Sequence, residues 1–171
     1  MVIETDRLIM RNLSILDTDA LFSILSDPEV MLHVELPYDY EKTKDFIVKH
    51  GLCSCPRVFA LVEKLSKKVI GHVVFHEIDE PEIFELGWIL GKEYWRKGYA
   101  FEISTALLNY GFRKMNLHRI VAETDDPLKS LGLMKKLGMR VEGVFRKHSK
   151  QPDGWRDLYW CGILKEEYEI K

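Results

Sequence analysis

The chain has 171 residues, 46% of them hydrophobic, enough for one domain with a sizeable core and short for two. Its 25 Lys/Arg against 27 Asp/Glu leave a formal net charge of -2, which argues against a nucleic-acid coat while leaving room for a local anion site. Cys53, Cys55 and Cys161 make no secreted disulfide framework, and no stretch reaches the roughly 18–20 unbroken apolar residues of a membrane span.

In chain order, Met1 to Arg7 lacks the basic and apolar runs of a secretory signal, so the expectation is a cytoplasmic protein with no nucleic-acid or membrane role. Leu8-Ile9-Met10 suits a first strand. Residues 13–25 carry apolar side chains at helical intervals behind Asp17, Thr18 and Asp19, and Ser26-Asp27-Pro28 stops that helix. A second helix is expected over 41–50, ending near Gly51. Residues 58–63, 69–75 and 83–90 read as strands. In the last of these Ile83, Glu85, Gly87 and Ile89 share one face, and Phe84, Leu86, Trp88 and Leu90 the other. Both faces are largely apolar, as in a strand inside a layered α/β domain.

The period changes after Gly91. A helix is expected over 98–115, with Ile103, Leu107 and Tyr110 on one flank and Leu108, Phe112 and Met115 on another. Residues 118–122 give a strand, and 129–137 a helix capped by Gly138. Residues 139–145 and 158–164 give further strands around the turn Gln151-Pro152-Asp153-Gly154. Neither a second-domain boundary nor a repeat interrupts this single mixed α/β pattern.

The run Trp95-Arg96-Lys97-Gly98-Tyr99-Ala100 follows a strand and opens a helix. In such a place exposed backbone N–H groups can cradle a phosphate. Gly98 permits a tight path, Ala100 limits crowding, and Arg96 and Lys97 raise the local positive potential. Amide donors suit an anion and not a metal ion. The run is neither a P-loop nor a dinucleotide fingerprint, and a short Gly-containing helix start is often purely structural.

Together, Glu85-Leu86-Gly87-Trp88, Trp95 to Ala100, Ser130, and Lys135-Lys136-Leu137-Gly138-Met139 resemble the GNAT acetyltransferase superfamily. The resemblance is nearest to the branch that acetylates ribosomal-protein N-termini. It runs from Thr5-Asp6-Arg7-Leu8 to Trp155-Arg156-Asp157, nearly the whole chain. It implies one GNAT-like domain over residues 1–171, an α/β fold with a mixed central sheet splayed between two strands, flanking helices, and acetyl-CoA in the cleft. On that pattern Ile89 and Leu90 present main-chain groups to the cofactor arm and acetyl oxygen. Arg96, Lys97, Gly98, Tyr99 and Ala100 grip its diphosphate. Trp95 takes the motif's first Gln/Arg position, and Phe101 stands where a small polar residue is usual. Glu102 is open between capping nearby amides and lying solvated on the helix. Pro127 replaces a frequent Asn three residues before Ser130, removing an amide side chain and a backbone donor. Asp125 and Asp126 are substitutes for a polar contact but not for that donor.

Acetyl transfer to an amine needs a neutral nucleophile near the thioester, a sink for its proton, and stabilisation of the oxyanion and departing thiolate. No protein nucleophile is required, and no Ser-His-Asp or Cys-His set stands out. Glu85 is the candidate general base, direct or through water, because an acid on an apolar strand calls for a partner or a function. Its alternative is a wet strand end. Ser130 is the candidate acid for the thiolate, with helix N-capping as its alternative. Met134 falls where many family members place a tyrosine. His72 and His76 are read as remote from this chemistry, and no metal is expected. Asp157 is open between orienting an amine and pairing with Arg156. The aromatic set around Trp88, Trp95 and Trp160 is read as chiefly structural.

The acceptor is expected to be a protein or peptide N-terminus, such as that of a ribosomal protein. Small-molecule amines (polyamine, amino acid or aminoglycoside) and a non-catalytic acyl-CoA-binding regulatory module stand as alternatives, and a homodimer stays open.

Overall fold

Strand-forming runs of Val, Ile and Phe lay down the centre of the sheet in the computed structural model, which describes residues 1–151 and 154–169. The strands are β1 (Ile3–Glu4), β2 (Leu8–Asn12), β3 (Val58–Glu63), β4 (Val69–Ile78), β5 (Glu80–Leu90), β6 (Arg119–Thr124), β7 (Arg140–Gln151) and β8 (Gly154–Leu164). They form one sheet in the order β1-β2-β3-β4-β5-β6-β8-β7. Every neighbouring pair is antiparallel except β5 and β6. Those two are joined by α4 (Tyr99–Arg113), because parallel neighbours need a crossover long enough to return the chain to the same end.

Helices cover both faces. On one, Ile103, Leu107, Leu108 and Phe112 of α4 bury against Phe75, Leu86, Ile120 and Ile163, each large side chain contributing about 1.5–3 kcal/mol relative to exposure. The helix α5 (Lys129–Lys136) adds Leu131 and Met134 to this core. Gly111 lets α4 approach closely, since a Cβ there would stand 2.8 Å from Ile120 Cδ1. On the opposite face α1 (Thr18–Leu25), α2 (Pro28–Met31) and α3 (Tyr40–Phe46) close a second core of Leu21, Leu25, Met31, Ile47, Val58 and Ala60. A short α6 (Lys165–Glu169) follows β8.

Several boundaries move from their sequence positions for identifiable reasons. The first helix starts at Thr18 after a 3-10 turn at Ile15–Asp17, where Ser14 and Asp17 form a capping box. Pro28 ends α1 but also opens α2 behind the Asp27 cap, using the one helical position that needs no N–H. The second expected helix splits into α3 and a π-helical turn at Ile47–Gly51. The third ends at Arg113, which leaves Met115 outside it and 37% exposed. The cap at Gly138 takes the expected form: at φ 93° it donates to Lys135 while Met139 donates to Met134, both at 3.0 Å. The β7–β8 hairpin is longer than expected and closes on the rung Gln151/Gly154, and positions 152 and 153 of its expected turn lie outside the described residues.

No described helix is long and apolar enough to cross a membrane. The tightest approach in the sheet is between β4 and β5, where a Cβ on Gly71 would lie 2.1 Å from the Ile89 carbonyl oxygen. That oxygen belongs to the backbone and cannot swing aside. Gly71→Ala is therefore expected to destabilise the fold by at least about 1–3 kcal/mol, read as a lower urea midpoint.

Candidate active site

The sheet opens where β5 and β6 part. Their pairing covers only Ile83/Arg119, Phe84/Ile120 and Glu85/Val121. Beyond it, β5 stays paired with β4 through Leu90, while residues 122–124 stay paired with β8. Peptide groups alternate between the two edges of a strand, so the free edge of β5 can be assigned. Glu82 O accepts from the His118 amide at 2.9 Å, toward β6, whereas the Gly91 amide donates to Ile70 O at 2.9 Å, toward β4. Leu86, Trp88 and Leu90 therefore present their main-chain groups to the cleft. Of the two residues expected to serve the cofactor arm, Leu90 faces the opening and Ile89 faces β4. The alternation of peptide edges, as distinct from side-chain faces, is what the sequence reading left out.

At the end of β5, the Trp95 indole Nε1 donates to Leu90 O at 2.8 Å and binds the following loop to the strand. Arg96 has φ 58° and Gly98 φ 81°, so the chain twice enters the left-handed region before α4 begins at Tyr99. For Arg96 this costs roughly 1–2 kcal/mol, the kind of strain that collects at ligand sites. The first bond of the helix runs from the Glu102 amide to Gly98 O at 3.0 Å. The amides ahead of it sit at the open, positive end of α4, flanked by the Arg96 and Lys97 side chains. Such a donor set fits a diphosphate, as acetyl-CoA carries. The side chain of Tyr99 is directed elsewhere: its hydroxyl donates to Glu63 on β3.

Glu102 neither caps its own helix nor lies free in solvent. It accepts from Thr5 Oγ1 at 2.6 Å, the Arg7 amide at 2.9 Å and Arg7 Nε at 2.7 Å. Burial pushes its pKa up, but these bonds outweigh that and hold it below the usual value. Arg7 also donates to Lys97 O at 2.9 Å and stacks 4.5 Å from the centre of the Tyr99 ring. The Thr5–Leu8 segment thus braces the loop before α4 from behind.

Glu85 occupies the last rung before the opening, mid-strand, which removes the wet-strand-end reading. Its side chain is 30% exposed, and its Oε2 lies 3.2 Å from His76 Nε2. His76 and Glu85 are direct cross-strand partners, as are Glu85 and Val121. So His76, Glu85, Val121 and then Glu123 share the face away from α4. Glu123 is solvent-accessible, yet its carboxyl pKa is raised, first by burial and then by the charge of Glu85. The sequence reading set His76 aside as remote; strand register brings it against the candidate base.

The far wall is α5. Asp126, not Ser130, caps it: its carboxylate accepts the amides of Leu128 and Lys129 at 3.0 Å and that of Ser130 at 3.3 Å. The capping alternative for Ser130 is thereby removed, since Ser130 lies inside the first turn. Met134 is buried in the core. Asp125 makes a different contact. Its Oδ1 is 2.8 Å from His33 Nδ1, its Oδ2 accepts from Gln151 Nε2 at 3.0 Å, and Arg156 Nη1 lies 2.9 Å from the same His33 nitrogen. One nitrogen cannot donate to a carboxylate and accept from a guanidinium at once, so a single tautomer satisfies only one of these contacts. The cluster ties the segment after α2 to the β6 end and the β7–β8 hairpin. Asp157 accepts the Lys147 amide at 2.8 Å. No group of three or more His, Cys, Asp or Glu able to hold a metal ion occurs among the described residues.

The family model described as "Acetyltransferase (GNAT) domain" matches residues 7–140. The chain is 36% identical over 170 residues to the uncharacterized N-acetyltransferase YnaD of Bacillus subtilis, covering 98% of this chain and 99% of that protein. It is 30% identical over 102 residues to the ribosomal protein uS5-alanine N-acetyltransferase of Escherichia coli, covering 58% of this chain and 53% of that enzyme. The crystal structure of an acetyltransferase (GNAT family) from Bacillus anthracis is similar at a TM-score of 0.89 and 34% identity, covering 97% of this chain and 99% of that one.

The division of labour at α5 is testable. Asp126→Ala is expected to cost about 0.5–2 kcal/mol of stability at neutral pH, and Ser130→Ala much less, by urea denaturation. Because the Asp126 carboxyl is held below its ordinary 3.8, its contribution is complete above that value. It is lost as pH falls through the depressed folded value, so the two proteins should converge in stability at low pH.

Proposed function

This chain belongs to the GNAT acetyltransferase family, and within that family we propose that its acceptor is a protein N-terminal α-amine. The observation that carries this reading is Glu85, a carboxylate at the rung where the sheet opens, on the face away from α4. An α-amine has a pKa of about 7.7–8.0, so a useful neutral fraction exists near pH 7 and one carboxylate suffices as proton sink. The similarity to the uS5-alanine enzyme, at 30% identity over 102 residues, supports the same acceptor class.

Acetyl-CoA, the cosubstrate of this family, supplies an activated thioester carbonyl when bound. The amides of Arg96, Lys97, Gly98, Tyr99 and Ala100 hold its diphosphate, helped by the Arg96 and Lys97 charges. The Leu90 amide on the free edge of β5 orients the thioester end, with Ile89 shaping the strand behind it. Glu85 takes the proton leaving the amine. Ser130, freed from capping by Asp126, presents a hydroxyl on the α5 side that can pass a proton to the departing sulfur.

A small cationic amine is the second reading, and one observation favours it. Glu85 and Glu123 stand on the same face in adjoining strands, and the Glu123 pKa is raised first by burial and then by the Glu85 charge, so a polycation would find two carboxylates there. Reactions with acetyl-CoA, peptides bearing free N-termini, polyamines, amino acids and aminoglycosides, read by mass spectrometry, separate the readings. Acetylated peptide termini are expected. Product only with polyamines would transfer the assignment to the second reading.

Glu85→Gln is expected to bind acetyl-CoA as the native protein does while kcat falls about 100-fold or more. Native turnover in that variant across pH 6–9 would remove Glu85 as the base.

A further inference from the structure

Both ring nitrogens of His76 are committed. Nδ1 lies 2.7 Å from the Glu77 carbonyl oxygen, and Nε2 lies 3.2 Å from Glu85 Oε2. A carbonyl oxygen only accepts, so Nδ1 carries a proton in every state that keeps this bond. That fixes the tautomer of the neutral ring and leaves the Nε2 lone pair aimed at the carboxylate. The imidazolium is accommodated better, because its second N–H donates to the carboxylate where the neutral ring presents only a lone pair. His76 is thus placed to gain a proton without losing a hydrogen bond.

We propose that His76 is a proton relay behind Glu85, a positioning residue that draws off the amine proton and returns Glu85 to its carboxylate form. The inference rests on the reading of Glu85 as base. In the first step the amine N–H bond breaks and an O–H bond forms on Glu85. In the second that O–H bond breaks and Nε2–H forms, leaving an imidazolium beside a carboxylate. The His76 side chain is 17% exposed, which gives the proton a route to solvent before the next cycle. No oxidant, metal or further reactant is needed.

The electrostatic surroundings agree. The Glu85 bond raises the His76 pKa above its ordinary 6.5, partial burial opposes it, the Glu77 carbonyl adds to it, and Arg57, just ahead of β3, lowers it. His50, at the end of the π-helical turn, also faces the ring, and its own pKa is pushed down by burial, Arg57, Lys49 and His76. Glu123 stands beyond Glu85 on the same face. A ring with a raised pKa is a better proton acceptor than the carboxylate in front of it, so the second transfer runs downhill. Its sign is definite. The competent state has neutral His76, and turnover should rise as pH increases through the His76 value.

The test combines NMR titration with kinetics on the full chain. In the native protein the His76 imidazole should titrate above about 6.5, and in Glu85→Gln it should shift downward by a resolvable fraction of a unit. His76→Gln keeps a side chain able to donate to Glu85 but unable to take up a proton. Its kcat is expected to fall about 10-fold or more with the acidic limb of the pH profile lost, while acetyl-CoA affinity stays native. His76→Asn, compared at matched folded fraction by circular dichroism, guards against a folding defect. Native kcat and an unchanged acidic limb in both His76 variants, with Glu85→Gln still impaired, would overturn the relay and leave Glu85 as base. Native turnover in Glu85→Gln would instead remove the reading on which the relay stands, whatever the NMR titration gives.

Discussion

Everything in this molecule turns on how briefly β5 and β6 are paired. Parallel strands joined by a crossover helix usually run together for their whole length, because each unpaired peptide group in the interior forfeits a hydrogen bond. Here the partnership ends after the Glu85/Val121 rung. It can end there because each strand has a complete antiparallel neighbour on its other side, β4 for one and β8 for the other. The two halves are held by their own ladders and by the α4 and α5 core. The gap between them exposes the peptide edge of Leu86, Trp88 and Leu90, an edge suited to an extended ligand with amide groups of its own.

The second requirement is a loop before α4 that holds its shape. Arg96 in the left-handed region is strained, and clustered positive charge at a helix N-terminus repels itself. The compensation comes from behind the loop. Glu102 gathers Thr5 and Arg7, Arg7 grips the Lys97 carbonyl, and Trp95 hangs from Leu90 O. These bonds fix the backbone while leaving the amides at the front unclaimed. The loop before α4 and its support lie far apart in sequence, Arg7 and Lys97 being 90 positions apart.

On the other side of the opening, charge is arranged and not merely abundant. The register of β4 on β5 sets His76 against Glu85, while Glu123 follows two residues after the last parallel rung. The buried Asp125 carboxylate meets His33 and Gln151, and Arg156 reaches the same His33 nitrogen, so the segment after α2 and the β7–β8 hairpin come together at the end of β6. Buried carboxylates without such partners would be costly.

What the sequence determined is whatever depends on neighbours along the chain. The period of residues 58–63, 69–75 and 83–90 marks three strands, the first two as neighbours, the Trp95–Ala100 run marks a helix start, and Gly138 marks a helix stop, because φ, ψ and alternation are local properties. Motif spacing carried the family and with it the splayed sheet. The tertiary structure decided what depends on register and on distant contacts. Ile89 and Leu90 look alike as text, but the edge to which each peptide group points follows from which strand pairs on which side. Capping stands open as an alternative for Ser130 in the sequence, and only the fold shows Asp126, four positions earlier, over the helix end. Glu102 was ambiguous because its partners lie at the other end of the chain. His76 seems remote because it stands nine positions from Glu85 in the chain, and only the reversal of direction between β4 and β5 makes them cross-strand neighbours.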